Sequence, residues 1–216
     1  MNTRLSVRIV VKEYNMTQYQ ITVSFTPKTT RGNITSILNQ FGIPSTIIEV
    51  GCYEGDTTFW IAETVGSVNP NLKMYAIDPH STSVDILESL EDAHRRFVHN
   101  LNVCPFKGVE YIRKPSNEGL IDLINKGVRA EMIFIDGDHT ASAVMTDLVL
   151  AWELIKPGGV IICDDATQWQ YNDHKNGEIS AQMSPRMAVE MFIQCNWHKI
   201  HPLWLPDGYQ TAFVKK

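Results

Sequence analysis

From Thr46 onward the chain alternates short β-branched runs with longer helical stretches, and this alternation restricts the fold more than any other feature of the sequence. "TIIEV" (46–50), "KMYAID" (73–78), "VEYIR" (109–113), "EMIFID" (131–136) and "GVIICD" (159–164) have the length and composition of strands buried on both faces. The intervals 56–66, 84–103, 116–126 and 140–155 are each long enough for a crossover helix. In the last of them Ala143, Leu148, Ala151, Trp152 and Ile155 recur at roughly helical spacing. "KPGG" follows: Pro157 cannot continue a helix, and Gly158 and Gly159 allow a turn. Strands alternating with helices require parallel pairing through right-handed crossovers, so a doubly wound, Rossmann-like α/β sheet is expected.

The two ends break the pattern. After a helix predicted over 185–196, "HKIHPLWL" and "YQTAFVKK" flank "PDG", the signature of a closing antiparallel hairpin with Asp-Gly in its turn. At the other end "LSVRIVVKE" and "YQITVSF" are alternating runs that could pair as a second hairpin, covering a sheet edge or a partner subunit in a homo-oligomer. The expected division is an N-terminal extension at 1–30 and one ligand-binding domain at 31–216. A chain of 216 residues is long enough for such a core.

Charge and cysteine usage narrow the partners. The net charge of −5, with no basic block, argues against nucleic acid. No apolar run approaches the ~20 residues needed to span a bilayer, and "MNTRLSVRIVVKEYN" lacks the core and cleavage site of a secretory signal. Cys52, Cys104, Cys163 and Cys195 are far apart, as expected of buried thiols in a reducing, cytoplasmic setting.

In an open α/β sheet the ligand crevice lies beyond the carboxyl ends of the strands. The first strand runs into "GCYEGDTT", where Gly51 and Gly55 permit a tight turn and a helix N-terminus follows. Asp78 ends the second strand in "AIDPH", where a carboxylate can accept both hydroxyls of a ribose. Strand, Gly-x-x-x-Gly, helix, strand and acid in that order suggest a nucleoside site; the competing reading is that Gly51 and Gly55 merely make a turn and Asp78 caps a helix. The dinucleotide pattern G-x-G-x-x-G is absent, which weakens the alternative of a nicotinamide-dependent oxidoreductase.

Asp136 and Asp164 end the fourth and fifth strands, and Asp165 follows directly in "CDDAT". If those strands are neighbours, three carboxylates converge and raise one another's pKa. A hard divalent cation relieves the repulsion, and an all-oxygen set suits magnesium, with manganese or calcium as alternatives. The competing reading is three solvated or ion-paired turn residues. In "DGDHTAS" Asp138 is expected to cap the next helix. The long polar stretch 166–186, with Trp169, Tyr171, Asp173 and His174, has the profile of a substrate loop or of a plain surface loop.

"EVGCYEGDTT" resembles motif I of class I S-adenosylmethionine-dependent methyltransferases, and the closing hairpin is similar to that family's last strands. The likeness covers roughly residues 40–216 and is closest to the catechol and macrocin (macrolide-sugar) types of small-molecule O-methyltransferase. Tyr53 stands where the catechol type also has tyrosine, and Thr57 where it has a hydroxyl side chain. The resemblance implies S-adenosylmethionine held by Glu49, Gly51, Tyr53, Gly55, Thr57, Asp78 and Asp136. Thr57 would lie near the methionine carboxylate, Asp78 would hold the ribose, and Ser116 and Asn117 would lie beside adenine, although Ser116 could equally cap its own helix. It also implies three metal ligands, at Asp136, Asp164 and Asp165. The catechol type has asparagine at the third, whereas the sugar type has an acid. Three residues past the first ligand the sugar type carries a histidine base, here His139. The expected enzyme methylates a hydroxyl of a small molecule, a sugar among the candidates. A non-catalytic nucleoside-binding accessory protein on the same fold is a further alternative.

Overall fold

The computed structural model describes residues 16–22, 24, 28–81, 90–166, 172–173, 178–179, 184–205 and 209–216. A 3-10 turn at Met16–Gln18 precedes α1 (Lys28–Phe41). There follow β1 (Thr46–Val50), α2 (Asp56–Gly66), β2 (Lys73–Ile77), α3 (Leu90–Val103), β3 (Val109–Ile112) and α4 (Ser116–Asn125). Next come β4 (Ala130–Ile135), α5 (Ala141–Leu154), β5 (Ile155–Cys163) and the short pair β6 (Asn172–Asp173) and β7 (Glu178–Ile179). α6 (Pro185–Cys195), a 3-10 turn at Trp197–Lys199, β8 (Ile200–Leu203) and β9 (Thr211–Lys215) complete the order.

Seven strands form one sheet in the order β3-β2-β1-β4-β5-β9-β8. The first five are parallel, and β9 inserts antiparallel between β5 and β8. The strand order reverses between β1 and β4, which places the crevice at the ends of those two strands. The doubly wound fold expected from the alternation is therefore the observed one.

Strand periodicity sorts the core onto two faces. Ile48, Val50, Ile133, Ile135 and Ile161 pack with Leu120 and Leu123 of α4, Leu148 and Ala151 of α5, and Phe192 of α6. Ile47, Met74, Met132, Phe134 and Ile162 pack with Ile34, Ile37 and Leu38 of α1 and Trp60, Ile61 and Val65 of α2. α3 docks through Phe97, which sits 5.3 Å from the Phe59 ring. The central strands β1 and β4 and the second half of β5 are thus covered on both sides, which is why the sequence shows runs rather than alternation there.

Several expectations change in detail. Helix α5 ends at Leu154, before Pro157, because Ile155 already pairs with Ala130 of β4; "KPGG" lies inside an irregular β5, with Gly158 at φ 80°. Thr140, not Asp138, is the N-cap of α5: its Oγ1 accepts from Ala143 N at 3.3 Å. Asp138 acts one step earlier, accepting from Thr140 N at 2.7 Å, since only the cap position aims a side chain at the third amide of the helix. All four cysteines are free, but Cys195 is exposed at the end of α6 rather than buried.

Of the N-terminal hairpin, the run at 5–13 lies outside the described residues. In the second run Tyr19–Thr22 is described and contains no strand; its backbone is engaged by side chains of the domain instead. Gln20 N donates to Asn100 Oδ1 at 2.7 Å and Thr22 N to Glu54 Oε2 at 2.6 Å. The Asp-Gly turn at 206–208 and most of the loop at 166–186, including Trp169, Tyr171 and His174, also lie outside the described residues.

Candidate functional site

The hydrogen-bond ladder runs one residue beyond each central strand and aligns the site. Gly51 N donates to Ile77 O (2.9 Å), Asp136 N to Val50 O (2.8 Å) and Asp164 N to Ile135 O (2.9 Å). Gly51, Asp136 and Asp164 therefore stand side by side at the carboxyl edge, on three adjacent strands.

Two glycines are sterically required in the loop after β1. Gly51 has φ 79°, and a Cβ there would lie 2.0 Å from the Asp136 carbonyl oxygen. Gly55, the N-cap of α2, has φ 87°, and its Cβ would meet the Phe59 ring at 2.1 Å. Between them Tyr53 also has positive φ, at 44°. Asp78 organises this turn: its Oδ2 accepts from Cys52 N (3.0 Å) and Tyr53 N (2.9 Å), and its Oδ1 from His80 N (2.8 Å). The carboxylate expected at a ribose is thus also the tie that shapes the glycine loop; Oδ2 is filled by two bonds, and Oδ1 keeps further acceptor capacity.

Glu49 is fully buried beneath the loop. Thr58 Oγ1 donates to its Oε2 at 2.5 Å, while Oε1 has no hydrogen-bond partner. Burial pushes this carboxyl up to about 8 against the opposing bond from Thr58, with Asp136, Asp78 and Asp56 adding repulsion. An orphaned buried acid among other acids fits a cationic ligand, and the sulfonium and ammonium of S-adenosylmethionine are both positive. Thr57 lies half-buried in the first turn of α2.

Ser116 and Asn117 open α4, whose N-cap is Pro115, so Ser116 does not serve as the cap. It lies near Asp147, a buried acid of α5 that burial raises to about 6 and neither of whose oxygens makes a hydrogen bond among the described residues.

The acidic cluster forms at the ends of β4 and β5. Nε2 of His139 lies 3.1 Å from Asp165 Oδ2 and 3.9 Å from Asp136 Oδ1. Ligand atoms of Asp136, His139 and Asp165 all lie within 4.8 Å of one another. Asp164 stands outside this tight triad, which differs from the expected Asp136, Asp164 and Asp165 grouping. Its Oδ1 accepts from Asp165 N (2.9 Å) and its Oδ2 from Gln210 Nε2 (3.1 Å), while Asp165, at φ 51°, swings its own side chain back toward β4.

The cluster carries strong local fields. Burial pushes Asp136 up to about 6, with His139 pulling the other way and Asp165 adding repulsion. Burial, then the charges of Asp136 and Asp165, raises Asp164 well above the usual carboxylate range. Burial disfavours the charged His139 ring, but Asp136 and Asp165 outweigh it and raise the ring to about 11. Asp136 and Asp165 share one histidine with Asp164 close by, and among the described residues neither Lys nor Arg forms an ion pair with these three carboxylates. That oxygen-rich, under-compensated set fits a hard divalent cation.

Some residues at the site carried no recognisable signal in the sequence. Glu54, inside the glycine loop, is buried and bonds Arg96 of α3 as well as Thr22. His80 bridges Tyr111 Oη (2.7 Å) and the Tyr53 carbonyl (2.7 Å), holding the loop against β3.

Residues 48–166 match the model of a family described as "Methyltransferase domain". A curated relative, the uncharacterized protein R132 of Acanthamoeba polyphaga mimivirus, is 24% identical over 128 residues, covering 59% of this chain and 54% of that protein. The chain thus spans about half the length of the curated relative it matches. Among solved structures, an O-methyltransferase from Bacillus cereus in complex with SAH is 20% identical with TM-score 0.59, covering 89% of this chain and 82% of that one. The apo structure of CalS11, a TDP-rhamnose 3'-O-methyltransferase, is 14% identical with TM-score 0.55, covering 88% and 82%. With a family match over more than half its length and this sheet order, the chain belongs to the methyltransferase-domain family and has the fold of the class I S-adenosylmethionine-dependent methyltransferases.

Proposed function

We propose that the protein transfers a methyl group from S-adenosylmethionine to a hydroxyl of a small molecule, with a divalent cation, magnesium by preference, at the acidic cluster. The observation that carries this reading is the contact between the two halves of the site: the glycine loop packs on the backbone of Asp136, whose side chain belongs to the acidic triad. A donor in that loop lies next to an acceptor held at the triad.

On this reading Glu49, Gly51, Tyr53, Gly55 and Thr57 surround the methionyl end, Asp78 takes the ribose, and Ser116 and Asn117 flank the adenine. Asp136, Asp164 and Asp165 would hold the cation. Such a cation supplies Lewis acidity, lowering the pKa of a hydroxyl bound to it. His139 would receive the hydroxyl proton, since Asp136 and Asp165, the carboxylates that raise its ring, would be drawn to a cation held there. The acceptor oxygen forms a bond to the methyl carbon as the carbon–sulfur bond breaks, and the sulfonium leaves as a neutral thioether. The protein's main contribution is alignment of oxygen, carbon and sulfur.

A sugar hydroxyl is the favoured acceptor class. The histidine at 139 resembles the sugar type, and a TDP-rhamnose 3'-O-methyltransferase shares the fold. The test is calorimetry with S-adenosylmethionine and magnesium, followed by a methyl-transfer assay against hydroxylated small molecules with and without chelator. Donor binding with chelator-sensitive turnover is expected; full turnover in excess chelator overturns the metal role.

A further inference from the structure

A buried polar chain connects Asp164 to the first helix of the domain. Gln210, the residue before β9, donates Nε2 to Asp164 Oδ2 (3.1 Å) and to Thr30 Oγ1 (3.2 Å). Asn33 Nδ2 donates to Gln210 Oε1 at 2.9 Å, and Thr30 Oγ1 pairs with Tyr209 Oη at 2.9 Å. Thr30, Asn33, Asp164 and Gln210 are 1%, 0%, 8% and 4% exposed, so water scarcely competes for these bonds.

The orientation of this chain is set by Asp164. Gln210 Nε2 already faces Asp164, and the ionised carboxylate that a cation requires only accepts, so this orientation of the amide suits the cation-holding form. The amide oxygen then points away, and Asn33 must present its own nitrogen to that oxygen. Both amides are thereby locked, and each oxygen of Asp164 has one hydrogen bond: Oδ1 from Asp165 N, Oδ2 from Gln210. The chemistry of the donors matters. Lysine or arginine at 210 would neutralise Asp164, whereas an amide holds the carboxylate and leaves its full negative charge for a cation.

We propose that Gln210 is a positioning residue for Asp164, locked by Asn33, that presents this carboxylate to a divalent cation; the proposal rests on the metal reading above. Outer-shell partners of this kind typically contribute 10–100-fold in metal affinity. The test is magnesium and manganese calorimetry on the full chain as wild type, Gln210→Met and Asn33→Asp, with S-adenosylmethionine binding measured in parallel. Gln210→Met keeps the volume and removes both donors. Asn33→Asp accepts from Gln210 Nε2, turns the amide over and sets Oε1 against Asp164. Each variant is expected to lose roughly 10-fold or more in cation affinity while keeping donor affinity. If Gln210→Met does not fold, Asn33→Asp carries the test. Wild type that binds no cation overturns the metal reading and this inference with it. Wild type that binds, with variants of lowered melting temperature but equal cation affinity, overturns this inference alone and leaves the metal reading intact.

Discussion

Gly51 and Asp136 touch: the Gly51 Cα faces the Asp136 backbone so closely that a single added carbon would sit 2.0 Å from its carbonyl oxygen. The end of β1 and the end of β4 therefore cannot move independently, and the proposed donor loop and acidic triad are braced on the same backbone.

Gly51→Ala is accordingly expected to damage both halves. The alanine would face a backbone clash, with no flexible side chain to yield, and an unfavourable φ of 79°. A loss of at least ~2 kcal/mol in stability is expected, together with loss of S-adenosylmethionine binding. Denaturant unfolding and donor calorimetry measure these; a variant equal to wild type in both would contradict the packing.

Asp165→Ala should separate the two binding events. It removes both oxygens of one carboxylate of the triad around His139. Turnover and cation affinity should fall by roughly 10-fold or more, while donor affinity stays within a few-fold. An unchanged cation affinity would remove Asp165 from the ligand set.

His139→Ala should lower kcat with little effect on KM or on donor binding. A positioned base contributes typically 10²–10⁴-fold, so a fall of that size is expected. The rate should also lose its dependence on the protonation of this group, which a pH–rate profile would show.

Stability without donor or cation should fall as pH rises from about 4.5 to 8. Glu49 is raised from 4.5 to about 8, so between those values the folded chain retains a proton that the unfolded chain has released, and folding weakens with pH. Asp136, raised from 3.8 to about 6, acts with the same sign over a lower window. His139, raised from 6.5 to about 11, contributes stability that is complete below 6.5 and lost as pH climbs through 11. Glu49→Gln should flatten the profile and be more stable than wild type at pH 8 by ~2 kcal/mol or more. Thermal denaturation across pH 5 to 8 checks this, and a flat wild-type profile would contradict it.

Much of the architecture was legible because it depends on local pattern. "TIIEV", "EMIFID" and "GVIICD" are apolar on both faces, as strands covered by helices must be, and the observed sheet buries them that way. The Gly51-to-Gly55 loop was legible for a similar reason, since glycine is the residue that tolerates φ near +80°. The boundaries of α5 were less so: a proline and two glycines suggested where the helix stops, but pairing of Ile155 with Ala130 ended it earlier.

By itself the sequence determined the order of strands and helices, the turn after β1, and acids at the ends of β2, β4 and β5, all consequences of short-range sterics and burial periodicity. The tertiary structure alone decided which groups meet. His139 joins Asp136 and Asp165, while Asp164 turns to Gln210, 46 positions away in the chain. Glu54 reaches Thr22 and Arg96. Such partnerships depend on how sheet edges and helices are brought side by side, and a one-dimensional pattern carries no record of contacts between residues so far apart.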